Sequence, residues 1–253
     1  MAREVPAATQ ALRVLRFLSG QPRPVPAARV ATAIDAPRSS TYHLLRAMAA
    51  EGFVTHHRDD GLWGLGVAAY EVGTGYARHA PLARLGRLPL ARLVDATGES
   101  AHLVSLHGRE VVYLVEDRAP RRPPLVTDVG VRLPAHLTAS GRAILADAPA
   151  AQVRALFADR SAFVDRHGVG PQSLSALRSE LTVTRTQGYA FEDGEVTPGF
   201  ASVAVAVRTP AALSPASVAV TYDATRLERG SAAFETLVAE VTATAEELAR
   251  RLS

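Results

Sequence analysis

Residues 25–66 read VPAARVATAIDAPRSSTYHLLRAMAAEGFVTHHRDDGLWGLG, and the prolines, glycines and aspartates in this stretch divide it into four parts. Pro26 can open a helix, because proline lacks the N–H that a helix start leaves unpaired. Ala28, Val30, Ala31 and Ile34 give that helix a small apolar face. Asp35-Ala36 makes a turn, since aspartate tolerates the left-handed backbone a tight corner needs. Pro37 starts a second helix, with Leu44, Leu45 and Met48 on one side and Arg38, Ser39, Ser40, Tyr42, His43 and Arg46 on the other. Residues 53–57 and 62–65 then form a hairpin through Arg58-Asp59-Asp60-Gly61, in which Asp-Gly is a strong tight-turn pair.

Helix, turn, helix and hairpin in this order are the parts of a winged helix-turn-helix. The outer face of its second helix is rich in hydrogen-bond donors, which suits phosphates and major-groove base edges. On this reading Arg38, Ser39, Ser40 and Tyr42 reach base edges, while His43, Arg46 and Arg58 serve phosphates. Arg58 stands beside two histidines at the hairpin tip, where Asp59 and Asp60 oppose it. The alternative is a ligand sensor whose winged module docks a protein partner.

The 28 basic residues are all arginine, and their placement says more than the net charge of +3. Residues 1–80 hold nine arginines against six carboxylates, and the remainder holds 19 of each. The excess therefore sits on the winged unit, which predicts modest, salt-dependent affinity for nucleic acid. There is no cysteine, so disulfides, thiolate catalysis and cysteine-bound zinc are excluded. No 18-residue apolar run occurs, and Arg3, Glu4, Arg13 and Arg16 interrupt the first 20 residues. That pattern argues against a membrane span or secretory signal and makes the cytoplasm the expected compartment.

Along the chain, residues 9–19 read as a first helix, residues 67–79 as a connecting helix weakened by Gly73 and Gly75, and residues 82–97 as another helix. Strands are expected at residues 101–106, 111–116, 125–131, 189–193, 201–208 and 217–222, with Pro120, Pro123 and Pro124 marking a surface loop. Helices are expected from Thr138 through Ala146, over 150–157, over 173–186 with Gly188 as cap, and over 231–252. The economical arrangement is α+β, with helices packed on a mainly antiparallel sheet.

Four blocks carry a resemblance to a known family. They are Ala36 through Leu45 (APRSSTYHLL), Trp63 through Gly66 (WGLG), Leu133 through Ala143 (LPAHLTASGRA), and Gly188 through Glu195 (GYAFEDGE) with Gly199 through Val207 (GFASVAVAV). Together they resemble the IclR family of bacterial transcription regulators over nearly the full length. The resemblance implies a winged helix-turn-helix over 1–66, a linker helix over 67–80, and a GAF-like α/β effector-binding domain over 81–253. It further implies double-stranded operator DNA and a small-molecule effector as partners, and a homodimer or tetramer. His43 stands where the family usually has arginine, Ser202 where cysteine is frequent, and Ala206 where proline is frequent.

Read from residues alone, Thr138-Ala139-Ser140-Gly141 is an ordinary helix cap or an anion site built from free N–H groups. Glu192 before Asp193-Gly194 reads as a solvated turn. The resemblance assigns Ala139, Ser140 and Glu192 to an effector pocket, together with Ser202, Ala219, Thr221 and Leu125. The expected ligand is a small organic acid or related metabolite; Glu192 would repel an anion unless protonated or bonded to a ligand hydroxyl, which leaves a hydroxy or neutral metabolite open. No G-x-S-x-G, H-E-x-x-H or phosphate-loop motif occurs, and no lysine is present for Schiff-base chemistry. His102 and His107 form a poor metal pair, each read as structural or exposed. The sequence therefore calls for no catalytic residue, metal or cofactor.

Overall fold

The computed structural model describes residues 5–79, 81–120, 122–123, 125–208, 210 and 215–253. They fall into two units, Met1–Ala80 and Pro81–Ser253, each with its own sheet.

The first unit runs α1 (Pro6–Ser19), β1 (Val25–Pro26), α2 (Ala27–Ala33), α3 (Arg38–Ala50), β2 (Val54–His57), β3 (Leu62–Leu65) and α4 (Val67–His79). Its core gathers Val14, Leu18, Val30, Ile34, Leu45, Met48, Val54 and Trp63. Asp35 turns the chain between α2 and α3 with a left-handed φ of +53°, as its side chain leads one to expect. The hairpin forms where expected, its first strand starting at Val54 rather than Phe53, and pairs Val54 with Leu65 and His57 with Leu62. Two further points differ from the sequence reading. α1 starts at Pro6 rather than Thr9, because proline is at home in the first helical turn. Val25 and Pro26 also pair with Trp63 and Leu62, giving a three-stranded sheet in the order β1-β3-β2. Gly66 is required where the wing ends, since a Cβ there would collide with the Gly52 carbonyl. α4 occupies the stretch expected as a linker, and Ala80 lies outside the described residues.

The second unit runs α5 (Pro81–Thr97), β4 (Ser100–His107), β5 (Glu110–Asp117), β6 (Arg132–Pro134), α6 (Ala139–Asp147), α7 (Ala150–Leu156), α8 (Leu174–Gln187), β7 (Ala190–Asp193), β8 (Phe200–Val207), β9 (Ala216–Asp223) and α9 (Ala232–Leu252). The strands form one six-stranded sheet in the order β6-β5-β4-β9-β8-β7, and every pair is antiparallel. α5 and α9 pack together on one face, where Gly86 of α5 meets Leu103. α6 crosses the other face, where Ala139 and Ala143 sit on Ala190, Ala204 and Ala219. A patch of alanines lets the helix backbone approach the sheet closely.

The strand expected over 125–131 is a correction. That stretch is irregular, and the strand begins only at Arg132. Asp128 accepts the N–H of Val129 through Oδ1 at 2.7 Å, a local bond that competes with ladder pairing, and Val126 and Val129 are exposed. Pro120 and Pro123 lie outside regular structure as expected, and Pro124 lies outside the described residues.

Candidate nucleic-acid interface and effector pocket

In α3, Thr41, Leu45 and Met48 are buried, and all six donors expected on the other face are exposed. At about 100° per residue, Ser39, His43 and Arg46 lie directly opposite the buried stripe, with Ser40 and Tyr42 flanking them. Arg38 occupies the first turn. Arg58 is exposed in the hairpin turn. Trp63 joins the two parts: His56 stacks on it at 4.2 Å and Tyr42 meets it edge-on at 6.0 Å. Part of Tyr42 is thus committed to holding the wing against the helix. Among the described residues, every arginine–carboxylate pair lies between Arg92 and Arg251. Arg38, Arg46 and Arg58 are therefore free of carboxylate partners, as phosphate contacts require.

The pocket forms where α6 starts above the sheet. Thr138 caps the helix, its Oγ1 accepting the Gly141 N–H at 3.0 Å. The N–H groups of Ala139 and Ser140 are among those a helix start leaves without intrahelical partners. Gly141 has no room for a side chain, because a Cβ would strike the Ala135 backbone. The Ser140 carbonyl accepts a bond from Ser217 Oγ at 3.1 Å, which pins the helix start to β9. Arg142 is buried and donates to the carbonyls of His136, Leu137 and Phe191 and to the Glu195 carboxylate.

Leu125, Ala139, Ser140, Glu192, Ser202, Ala219 and Thr221 all line the resulting cavity, whose enclosed volume is about 20 Å³. The structure therefore brings together all seven residues that the resemblance assigned to ligand binding. Glu192 is not in a solvated turn. It is 3% exposed, and its Oε1 accepts from Ser202 Oγ at 2.7 Å, while Ser202 and Thr221 share a further bond at 2.9 Å. Among the described residues its Oε2 has no partner. Burial pushes the Glu192 carboxyl up to about 8; the Ser202 bond opposes this, and nearby Glu195 adds to it. At neutral pH Glu192 is thus an acid with a proton to donate, and its repulsion of an anion disappears.

Sequence reasoning missed several lining residues, above all His102 and Tyr113, with Phe200. His107 is exposed, as one of the two expected alternatives had it, but His102 is 1% exposed and faces the cavity. The available signal was alternation along residues 101–106, which separates His102 from Leu103 on the opposite face of the strand. Which face would become the cavity depends on where α6 lands.

Known proteins share this fold and both of its domains. The family profile "IclR helix-turn-helix domain" matches residues 7–58, and "Bacterial transcriptional regulator IclR C-terminal" matches residues 74–250. The chain is similar to a glycerol operon regulatory protein of Streptomyces coelicolor, with 31% identity over 252 residues, covering 100% of this chain and 98% of the relative. Among solved structures, a putative IclR regulator from Silicibacter superposes with a TM-score of 0.85 at 22% identity, covering 97% of this chain and 96% of that one. An IclR homolog from Microbacterium hydrocarbonoxydans, solved in complex with 4-hydroxybenzoate, superposes with a TM-score of 0.81 at 19% identity, covering 97% and 98%.

Proposed function

The chain belongs to the IclR family of bacterial transcriptional regulators, and from that premise we propose that a small organic acid entering the α6 pocket changes the affinity of α3 and the wing for an operator. DNA-binding regulation through a C-terminal effector domain is the family's function. The finer reading is that the ligand is a monocarboxylate, that the action is binding without catalysis, and that the chain works in the cytoplasm as a dimer or tetramer. Among the described residues no helix is long and apolar enough to cross a membrane.

The pocket's donor set supports the acid most directly. Ala139, Ser140 and buried Glu192 all line one cavity, where a helix start supplies amides without intrahelical partners and Glu192 holds its proton. Helix starts favour anions through unpaired amides and the helix dipole. The 4-hydroxybenzoate bound by the Microbacterium neighbour is of this class.

Because Glu192 must keep its proton to accept an anion, binding should weaken about tenfold per pH unit above pH 8. The sign follows from the raised pKa: the acid form's contribution to stability is complete below pH 4.5 and is lost as pH rises through about 8. Glu192→Gln keeps a donor and should flatten both profiles. Calorimetric titration of an anionic effector from pH 6.5 to 9.5 checks this, and a wild-type affinity that stays level across that range would contradict it.

On the DNA side, paired winged helices require half-sites about 34 Å apart, or a multiple of that spacing. We assign Arg38, Ser39, Ser40 and Tyr42 to base edges, and His43, Arg46 and Arg58 to phosphates. Arg38→Ala should relax sequence preference by about 1–3 kcal/mol, whereas Arg58→Ala should weaken all duplexes alike and lower the salt slope by about one. Gel shift on the DNA upstream of the chain's own gene and on a scrambled duplex separates the two. Equal losses on both duplexes for Arg38→Ala would refute the division.

A further inference from the structure

We propose that residues 125–129 form a lid over the α6 pocket, latched shut by Arg118, and that the effector enters and leaves only when this latch opens. The nature of what enters rests on the pocket reading above; the lid and its latch stand on their own geometry.

The cavity is closed. Its enclosed volume of about 20 Å³ has room for about one water, so even a small organic acid needs part of the wall to move. Most of that wall is regular structure: strands of the sheet and the start of α6. Two irregular segments complete it, residues 125–127 and 196–197. The second is fastened from several sides. Val196 is buried in the core and its carbonyl accepts from His167 Nε2 at 3.2 Å, neighbouring Glu195 holds Arg142, and the Thr197 carbonyl accepts the Phe200 N–H at 3.1 Å. The first is not: among the described residues, Leu125, Val126 and Thr127 make no backbone-to-backbone hydrogen bond. The chain is anchored on either side of them, by the Arg122–Glu99 ion pair at 2.6 Å before and by the Gly130 N–H bonding the Tyr113 carbonyl at 2.8 Å after. A segment held at both ends and unladdered in its middle is the part of the wall that can swing.

Side chains at the end of β5 hold that middle down. Arg118 grips buried Glu116 with two bonds of 3.1 Å, and its Nη2 also reaches the lid, donating to the Thr127 carbonyl at 3.4 Å and pairing with Asp128 at 3.6 Å. Thr127 Oγ1 adds a bond to the Glu116 carboxylate at 3.4 Å. The grip on Glu116 is short and stays on β5, whereas the contacts that cross to the lid are long and rest on a half-exposed guanidinium. Such contacts are the weaker ones and open first. Leu125 is the residue whose displacement matters most. With Phe200 and Thr221 it also lines a second cavity of about 110 Å³, beside Glu99, Arg122 and Arg226. The two cavities share this wall, so lifting Leu125 joins them into one passage that runs past two arginines.

The chain contains no cysteine, so a single introduced thiol in the full chain reports lid opening without any effector. Ser202→Cys places it on the cavity wall, where the aromatic disulfide dithiobis(nitrobenzoate) reaches it only when the lid lifts. Ser105→Cys, buried on β4 outside the cavity, reports unfolding, and exposed Ser175→Cys on α8 reports the unhindered rate. The Ser202→Cys thiol should react more slowly than that of Ser175→Cys and faster than that of Ser105→Cys, as local opening lies between free exposure and global unfolding. Arg118→Met should speed Ser202→Cys labelling about tenfold, the scale of a lost hydrogen bond to a charged group, and leave Ser105→Cys unchanged. If Arg118→Met does not fold, Thr127→Val with Asp128→Ala, which leaves Glu116 paired with Arg118, should speed it in the same way. Labelling of Ser202→Cys as fast as Ser175→Cys, a rate indifferent to the latch variants, or equal acceleration of Ser105→Cys overturns the proposal. If the latch variants act as stated but no acid in a thermal-shift panel slows the labelling, the pocket reading fails while the lid stands, so the two failures are distinguishable.

Discussion

Arg142→Met is expected to cost about 3–5 kcal/mol, enough to lower the melting temperature of the second unit by roughly 10 °C. The guanidinium is 2% exposed and its partner Glu195 12% exposed, so removing the arginine leaves a carboxylate with little solvent to replace it. Three carbonyls lose their donor as well: those of His136 and Leu137 before α6, and that of Phe191 on β7. Glu195 in turn accepts the Asp193 N–H at 2.8 Å, so one arginine fixes both the entrance to α6 and the end of the strand that carries Glu192. Ligand binding should fall with stability. The double variant Arg142→Met with Glu195→Met should recover part of the loss, because it leaves no unpaired buried charge. Thermal unfolding of the three variants measures this, and a drop under about 2 °C for Arg142→Met would show that the pair does not hold the pocket.

Replacing Arg38, His43 and Arg46 together with alanine is expected to weaken operator binding at least a hundredfold without unfolding the first unit. All three side chains are exposed on α3, two on the line opposite its buried stripe and one in its first turn. Contacts of this kind carry about 1–3 kcal/mol each, while exposed substitutions change stability by about 0.5 kcal/mol or less. Fluorescence anisotropy on the upstream duplex, paired with thermal unfolding, gives both numbers. A loss below tenfold would move the reading surface away from α3.

Much of this was legible in the sequence because local chemistry decided it. Asp35 signalled its turn through its tolerance of positive φ, Asp60-Gly61 set the hairpin turn, and Thr138 and Ser173 marked helix starts that their side chains cap. What escaped depended on partners distant in sequence. Val25-Pro26 is too short to signal a strand and becomes one only because Trp63 and Leu62 lie beside it. Val126 and Val129 suggested a strand, but Asp128 satisfied the backbone locally. Glu192 looked solvated because its burial comes from a helix some fifty residues earlier. His102 stayed hidden for the same reason: alternation separates the two faces of β4 but does not say which one α6 will roof.

The central claim is that a ligand in the α6 pocket controls the grip of α3 on DNA. It is tested most directly by titrating upstream DNA against wild-type chain and Ser140→Trp, each with and without the acid that stabilises the wild type most in a thermal-shift panel. Ser140 is 3% exposed on the cavity wall, so tryptophan there fills the space. The account predicts a wild-type shift of about 5- to 150-fold on adding the acid, and no shift in the variant, whose ligand-free affinity matches wild type. A variant that responds to the acid as the wild type does would contradict it.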